Sequence, residues 1–176
     1  QGGEVGSPAV SRDIFVTRWG ARYLGRDLPC AIGRGGITRE KREGDGATPA
    51  GRHRLVGLLY RPDRVSTALL PRWAQPVGPF AGWSDDPDDP AYNHHLPHCP
   101  GHSFSHERLR RADPLYDLVI LTDWNWPQAE AGRGSAIFVH RWRGPGQPTA
   151  GCIGLAPGNL RWIAARIRYE TRLIVL

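Results

Sequence analysis

The chain has 176 residues, enough for one domain with a sizeable hydrophobic core. Apolar residues make up 40% of it, which excludes a disordered chain, and no apolar run approaches the roughly 20 residues that span a bilayer. The net charge is +6, almost all from Arg because Lys41 is the only lysine; the arginines are scattered without an RNP, zinc-finger or helix-turn-helix pattern, so a nucleic-acid partner is not expected.

The opening QGGEVGSPAV has neither a basic head nor a long apolar stretch and does not read as a signal peptide. There is no Met, so the natural start is expected upstream, and residues 1–10 are expected to be flexible. DIFVTRWG (13–20) and RYLGRDLPCAIG (22–33) read as short strands in a hairpin-like arrangement broken at Gly20, with Cys30 in an apolar run that suits a core. GRHRLVGLLY (51–60) alternates and then turns apolar, as a strand does. Residues 71–112 are rich in Pro, Gly, Asp and His and lack periodicity. They are read as a loop-rich insertion that walls an active site.

Within that stretch His94, His95, His98, Cys99, His102 and His106 crowd together, and imidazole and thiolate are zinc ligands. Two separated ligand pairs and an HExxH are both missing, so solvent-facing histidines are expected and no metal. Asp85, Asp86, Asp88 and Asp89 are interrupted by prolines, which spoils calcium-loop spacing and leaves turn chemistry. The glycine-rich runs lack the endings of a dinucleotide fingerprint or a P-loop.

YDLVILTDW (116–124) is nearly continuous apolar sequence, as in a strand buried on both faces. SAIFVH (135–140) reads the same way and places His140 on the face of Ala136 and Phe138. After Cys152, Leu160, Ile163, Ala164 and Ile167 fall at i, i+3, i+4 and i+7 and mark an amphipathic helix, with Asn159 as its cap. TRLIVL (171–176) closes the chain as a strand. Many strands with one late helix make a mainly β or α+β fold.

The densest chemistry lies in HRWRGPGQPTAGC (140–152). A thiol needs a base to become a thiolate near neutral pH, and an imidazole supplies one, so Cys152 and His140 are the candidate nucleophile and base. Small residues before the nucleophile let backbone N–H groups reach a substrate carbonyl, which makes the Gly151 and Cys152 amides candidate oxyanion donors. The bland alternative is an inert Cys in a glycine turn and a surface His. Three cysteines leave at least one thiol free, and Cys30 and Cys99 are expected to be separate thiols.

Several blocks in order resemble one known family. GRGGITREKREGDGATPAGRHRL (33–55) is similar to the entry segment of the L,D-transpeptidase, or YkuD-like, catalytic domain, whose TPxG turn corresponds to Thr48, Pro49, Ala50 and Gly51. GWSDDPDDPAYNHHLP (82–97), SHERLRRADPLYDLVIL (105–121), GRGSAIFVHRW (132–142) and PTAGCIGL (148–155) resemble a bacterial branch of it. The family signature of Ser/Thr-His-Gly-Cys, a small apolar residue and Arg or Asn is met at Thr149, Gly151 and Cys152. It is departed from at Ala150 and Gly154, which removes polar groups and is expected to widen the pocket.

The resemblance implies a YkuD-like β-sandwich with a packed helix over a single domain, residues 1–176. It also implies a peptidoglycan L,D-transpeptidase that joins stem peptides in a 3-3 or a 1-3 linkage through a Cys152 thioester, without a cofactor. It places the enzyme in the periplasm or cell envelope and implies acylation by carbapenems. Thr149 would orient His140 or hold the turn, and Arg141, Arg143 and Tyr92 would meet stem-peptide carboxylates. The competing readings are a cysteine hydrolase of peptidoglycan or its protein crosslinks, a wall-binding protein without catalysis, and a zinc-binding module.

Overall fold

A computed structural model describes residues 10–176; the expectation for residues 1–10 lies, Val10 apart, outside them. The chain opens with β1 (Ile14–Thr17), β2 (Gly20–Tyr23), β3 (Arg26–Leu28) and β4 (Cys30–Ala31), followed by β5 (Ile37–Thr38), β6 (Thr48–Pro49) and the long β7 (Gly51–Tyr60). Then come β8 (Gln75–Pro76), β9 (Gly82–Ser84), β10 (His95–Leu96), β11 (His106–Arg108), β12 (Leu118–Thr122), β13 (Phe138–Arg141) and β14 (Ile153–Leu155). The helix α1 (Pro157–Ala164) and β15 (Arg172–Val175) complete the described residues. This is the mainly β fold expected from the strand-rich pattern.

The first hairpin turns at Arg18–Trp19, and Gly20 opens β2 rather than breaking it. Gly20 has φ +149°, and a Cβ there would lie 3.0 Å from the Leu28 carbonyl oxygen, so glycine serves the close approach of β3. The run 22–33 is split over the end of β2, β3 and β4, because Leu24 and Gly25 both take positive φ and reverse the chain.

The main sheet runs β3-β2-β1-β15-β7-β12-β13-β14-β4, with β8 beside β7. β7 joins its two halves: residues 51–54 pair with β15 and residues 55–60 with β12. One face of the sheet buries Leu55, Leu58, Leu118, Ile120, Val139 and Ile153 under Leu160, Ile163 and Ala164 of α1. The other face buries Val119 and Phe138 against Val77, Trp83, Leu109 and Leu115. β12 is therefore covered on both sides, which is why its sequence is apolar throughout.

The helix begins earlier than its apolar spacing suggested. Pro157 takes the first turn, where its fixed φ suits a helix and its missing N–H costs nothing. Ala156 is the N-cap and makes no side-chain cap bond, so Asn159 lies inside the helix. Ile167 lies past the last helical residue yet is buried, its N–H donating to the Ile163 carbonyl.

Segment 71–112 carries the three-stranded sheet β10-β9-β11. Its aspartates act as turn formers: Asp86 accepts the Asp88 and Ser105 amides, and Asp89 accepts the Ala91 amide and the Ser84 hydroxyl.

Candidate active site

β13 and β14 are parallel neighbours, with Val139 beside Ile153 and His140 beside Gly154. Side chains two residues apart on a strand share a face, so Cys152, just before β14, points to the side of His140. The diagonal separation of such positions is roughly 7–8 Å between Cα atoms, within reach of an imidazole and a thiol. Both residues line one cavity of about 280 Å³.

The sulfur rests on the backbone leading into β13. The Cys152 thiol donates to the Ala136 carbonyl at 3.1 Å, and the Phe138 amide donates to Sγ at 3.4 Å. Burial, and secondarily the Glu107 charge, pushes the thiol up to about 12. His140 is buried, and its Nδ1 lies 2.6 Å from the Arg141 carbonyl oxygen. A carbonyl only accepts, so Nδ1 carries the hydrogen and the Nε2 lone pair is left free. Burial, with Arg111 and Arg143 adding to it, lowers the imidazole to about 4. At neutral pH the resting pair is thus a neutral thiol and a neutral base, and no hydrogen bond joins them.

The backbone under the thiol is held in an uncommon conformation. Ala136 has φ +54°, which costs a non-glycine residue about 1–2 kcal/mol and directs its carbonyl at Sγ. Its amide donates to Asn93 Oδ1 at 3.0 Å, and the same oxygen accepts the Trp83 indole N–H. Asn93 Nδ2 donates to the Trp124 and Asn125 carbonyls, so one buried side chain ties three segments to the base of the site.

The nucleophile turn is held by two threonines. Thr48 Oγ1 donates to the Gly151 carbonyl and accepts the Gly33 amide, both at 2.8 Å. Thr149 Oγ1 donates to the Cys152 carbonyl and accepts the Gly151 amide at 3.1 Å. Gly151 has φ +142°, and a Cβ there would lie 2.9 Å from the Ala47 carbonyl oxygen, so only glycine fits.

Three expectations are corrected by this geometry and one is narrowed. The Gly151 amide is committed to Thr149 and is not free to receive an oxyanion. Of its two expected roles Thr149 holds the turn, and it makes no hydrogen bond to His140. Tyr92 is buried away from the cavity, its hydroxyl donating to Glu43 Oε1 and accepting the Gly134 amide. Gly154 does not widen the cavity, because the space beside it is filled by Trp142 Cβ, 3.0 Å from where its own Cβ would be.

Ala150 and Arg143 do line the cavity, whereas Arg141 borders a separate apolar pocket with Leu69, Leu118 and Leu160. The cavity wall also brings Arg34, Lys41, Glu43, Asp85, Glu107, Arg111 and Tyr116 together, none of which was expected at this site from the sequence. Lys41 is paired with Asp45, and Arg111 with Asp113. The Tyr116 ring meets the His140 ring edge-on, centroids 5.2 Å apart, and its hydroxyl donates to Glu107 Oε2 at 3.1 Å. No local pattern marks them: HERLRRADPLY (106–116) mixes charged and apolar residues without a helix or strand period.

Three histidines of 94–106 have separate partners, His94 the Tyr92 carbonyl, His106 the Phe104 carbonyl and His102 the Asp89 carboxylate, and His95 and His98 are exposed. Among the described residues no three His, Cys, Asp or Glu side chains converge on one point. Cys30, Cys99 and Cys152 are all free thiols.

Residues 13–175 match the model of one protein family, described as YkuD, L,D-transpeptidase catalytic domain. No curated protein matches the chain. Among solved structures, an L,D-transpeptidase from Mycobacterium smegmatis aligns with 89% of this chain and 52% of its own, at 13% identity and a TM-score of 0.38. The chain spans about half the length of that protein.

Proposed function

The chain belongs to the YkuD family of L,D-transpeptidase catalytic domains, and from that premise we propose that it crosslinks peptidoglycan stem peptides through a thioester on Cys152. The observation that carries this reading is a cavity shared by a thiol and a neutral imidazole whose Nδ1 is anchored, leaving Nε2 as a base.

A donor stem peptide enters with the carbonyl of an L-centre over Sγ. The thiol leaves the Ala136 carbonyl and passes its proton to His140 Nε2 as sulfur attacks the carbonyl carbon. Burial makes a free thiolate scarce at neutral pH, so proton transfer and attack go together. The Cys152 amide, with Gly151 committed elsewhere, receives the oxyanion. Protonated His140 then gives its proton to the departing amine, the C–N bond breaks and the thioester remains. An acceptor amine attacks the thioester, its proton passes through His140 to sulfur, and the crosslink is released. No step asks for a cofactor.

The donor carbonyl belongs either to diaminopimelate, giving a 3-3 linkage, or to L-alanine, giving a 1-3 linkage. Arg143 and Arg34, which have no acidic partner within salt-bridge distance among the described residues, are suited to stem-peptide carboxylates. Such a substrate places the protein in the cell envelope. Among the described residues no helix is long and apolar enough to cross a membrane.

The test is mass analysis of muropeptides after incubation with purified sacculi. New dimers whose acyl donor is an L-centre are expected, and they should be absent with Cys152→Ala. Dimers joined through a D-alanine carbonyl, or shortened stems without dimers, would refute transpeptidation at an L-centre.

A further inference from the structure

Glu107 has a place in the cavity that thioester formation does not explain. It sits on β11, and its carboxylate reaches the cavity that holds Cys152 and His140. Its one hydrogen bond among the described residues is from the Tyr116 hydroxyl, and it forms no salt bridge. Of the other acids of that wall, Glu43 Oε1 takes the hydroxyls of both Tyr92 and Ser135 and Asp85 takes that of Ser105, whereas the partner of Glu107 is the tyrosine packed on His140. Arg111, the cation nearest in kind, is held by Asp113 through both of its carboxylate oxygens.

A negative charge here works against the first half of the reaction. It opposes ionisation of the Cys152 thiol and so burdens the nucleophile. The second half has the opposite need. The acceptor arrives as a primary ammonium, which must be brought to the thioester and must lose a proton before it can attack. A lone carboxylate beside the base, steered by a phenol that itself packs on the base, suits that cation.

We propose that Glu107 is the acceptor-amine site: its carboxylate docks the ammonium of the acceptor and takes one proton from it. This rests on the transpeptidase reading above. The proton balance is complete. R–NH3⁺ gives one proton to the carboxylate and becomes R–NH2, whose nitrogen forms the new C–N bond as the C–S bond breaks. The second nitrogen proton passes to His140 Nε2 and then to sulfur, restoring the thiol, and Glu107 returns its proton to water. Burial raises the carboxyl above the ordinary glutamate range, which makes it a better acceptor of that proton. Tyr116 is a positioning residue, holding one carboxylate oxygen so that the other faces the cavity.

The experiment compares two nucleophiles on one thioester. The donor is a stem tetrapeptide; the acceptors are diaminopimelate, whose amines are ammonium groups at neutral pH, and hydroxylamine, already uncharged there. With Glu107→Gln, kcat/KM for diaminopimelate is expected to fall roughly 10–100-fold, the range of a lost charge-assisted hydrogen bond. Hydroxamate release should not fall, since it needs neither the charge nor the proton acceptor, and losing the charge that opposes Cys152 ionisation favours the thioester step. Glu107→Asp should recover part of the diaminopimelate rate. Equal losses with both nucleophiles, or none with either, would overturn the assignment of Glu107 alone. Failure of the wild-type protein to form any thioester would overturn the transpeptidase reading and this one with it.

Discussion

Cys152 and His140 are twelve residues apart in the chain and act, on the reading above, as one unit. Cys152→Ala exchanges a thiol for a hydrogen, a small loss of volume, so the fold should survive while thioester formation stops. Carbapenem acylation, followed by intact mass, should vanish from this variant and persist in Cys30→Ala and Cys99→Ala. An adduct retained without Cys152 would remove it as the nucleophile. His140 makes a different prediction, on pH. The base works only when neutral, and burial lowers it from 6.5 to about 4. The acid limb of kcat/KM should therefore fall well below the 6.5 of an ordinary imidazole, leaving activity at pH 5. An acid limb centred on the ordinary value would mean that the working imidazole is a solvated one. His140→Ala should lower the rate roughly 10²–10⁴-fold.

The elements around the pair are specified by contacts that cross the chain. Thr48 lies at the start of the turn before β7, 103 residues from Gly151 in sequence, yet its hydroxyl closes the nucleophile turn from below. Thr48→Val keeps the shape and removes the hydroxyl, leaving the Gly151 carbonyl and the Gly33 amide buried without partners. A loss of about 1–3 kcal/mol per orphaned group is expected, read as a lower denaturation midpoint. If stability is unchanged but catalysis falls, the hydroxyl positions the turn without stabilising the fold. The helix contributes differently. Ile163 is fully buried between α1 and the sheet, and its role is packing. It belongs to the face opposite the cavity, so the two sides of the sheet divide support from chemistry.

Across the whole molecule, buried titratable groups set the pH range of stability. His140 and His53 have lowered values, with burial the first cause in each. Their neutral forms are favoured by folding, so this contribution is present above the unfolded value of 6.5 and is lost as pH falls toward the folded value, about 4 for His140. The thiols run the other way. Burial raises Cys30 to about 11 and Cys152 to about 12, so their contribution is present below 9.0 and lost as pH rises through the folded values. Thermal denaturation against pH should show a plateau between about 6.5 and 9, with a decline on each side. Cys30→Ala should soften the alkaline decline, and a decline unchanged in that variant would show that the thiol does not drive it.

The strand 51–60, the two-sided burial of 118–122 and the packing face of α1 were legible from residue order alone. Periodicity records which side of an element meets apolar neighbours, and it survives without knowledge of what those neighbours are. Cys152 and His140 were legible as a candidate pair, since few residue types do such chemistry at neutral pH, and the fold sets both on one cavity. Hydrogen-bond destinations were not. The Gly151 amide looked free until Thr149 turned back on it, and Gly154 looked like open space until Trp142 filled it. Pro157 displaced the expected cap at Asn159 because backbone geometry at the first turn outweighed a capping side chain. Glu107 on β11 and Tyr116 in the turn before β12, nine residues apart, met the His140 wall only because both segments pack over the same face of the sheet. Sequence determines the faces of elements and the reactive side chains; strand neighbours and the partners of polar groups are long-range choices, decided only when the sheet closes.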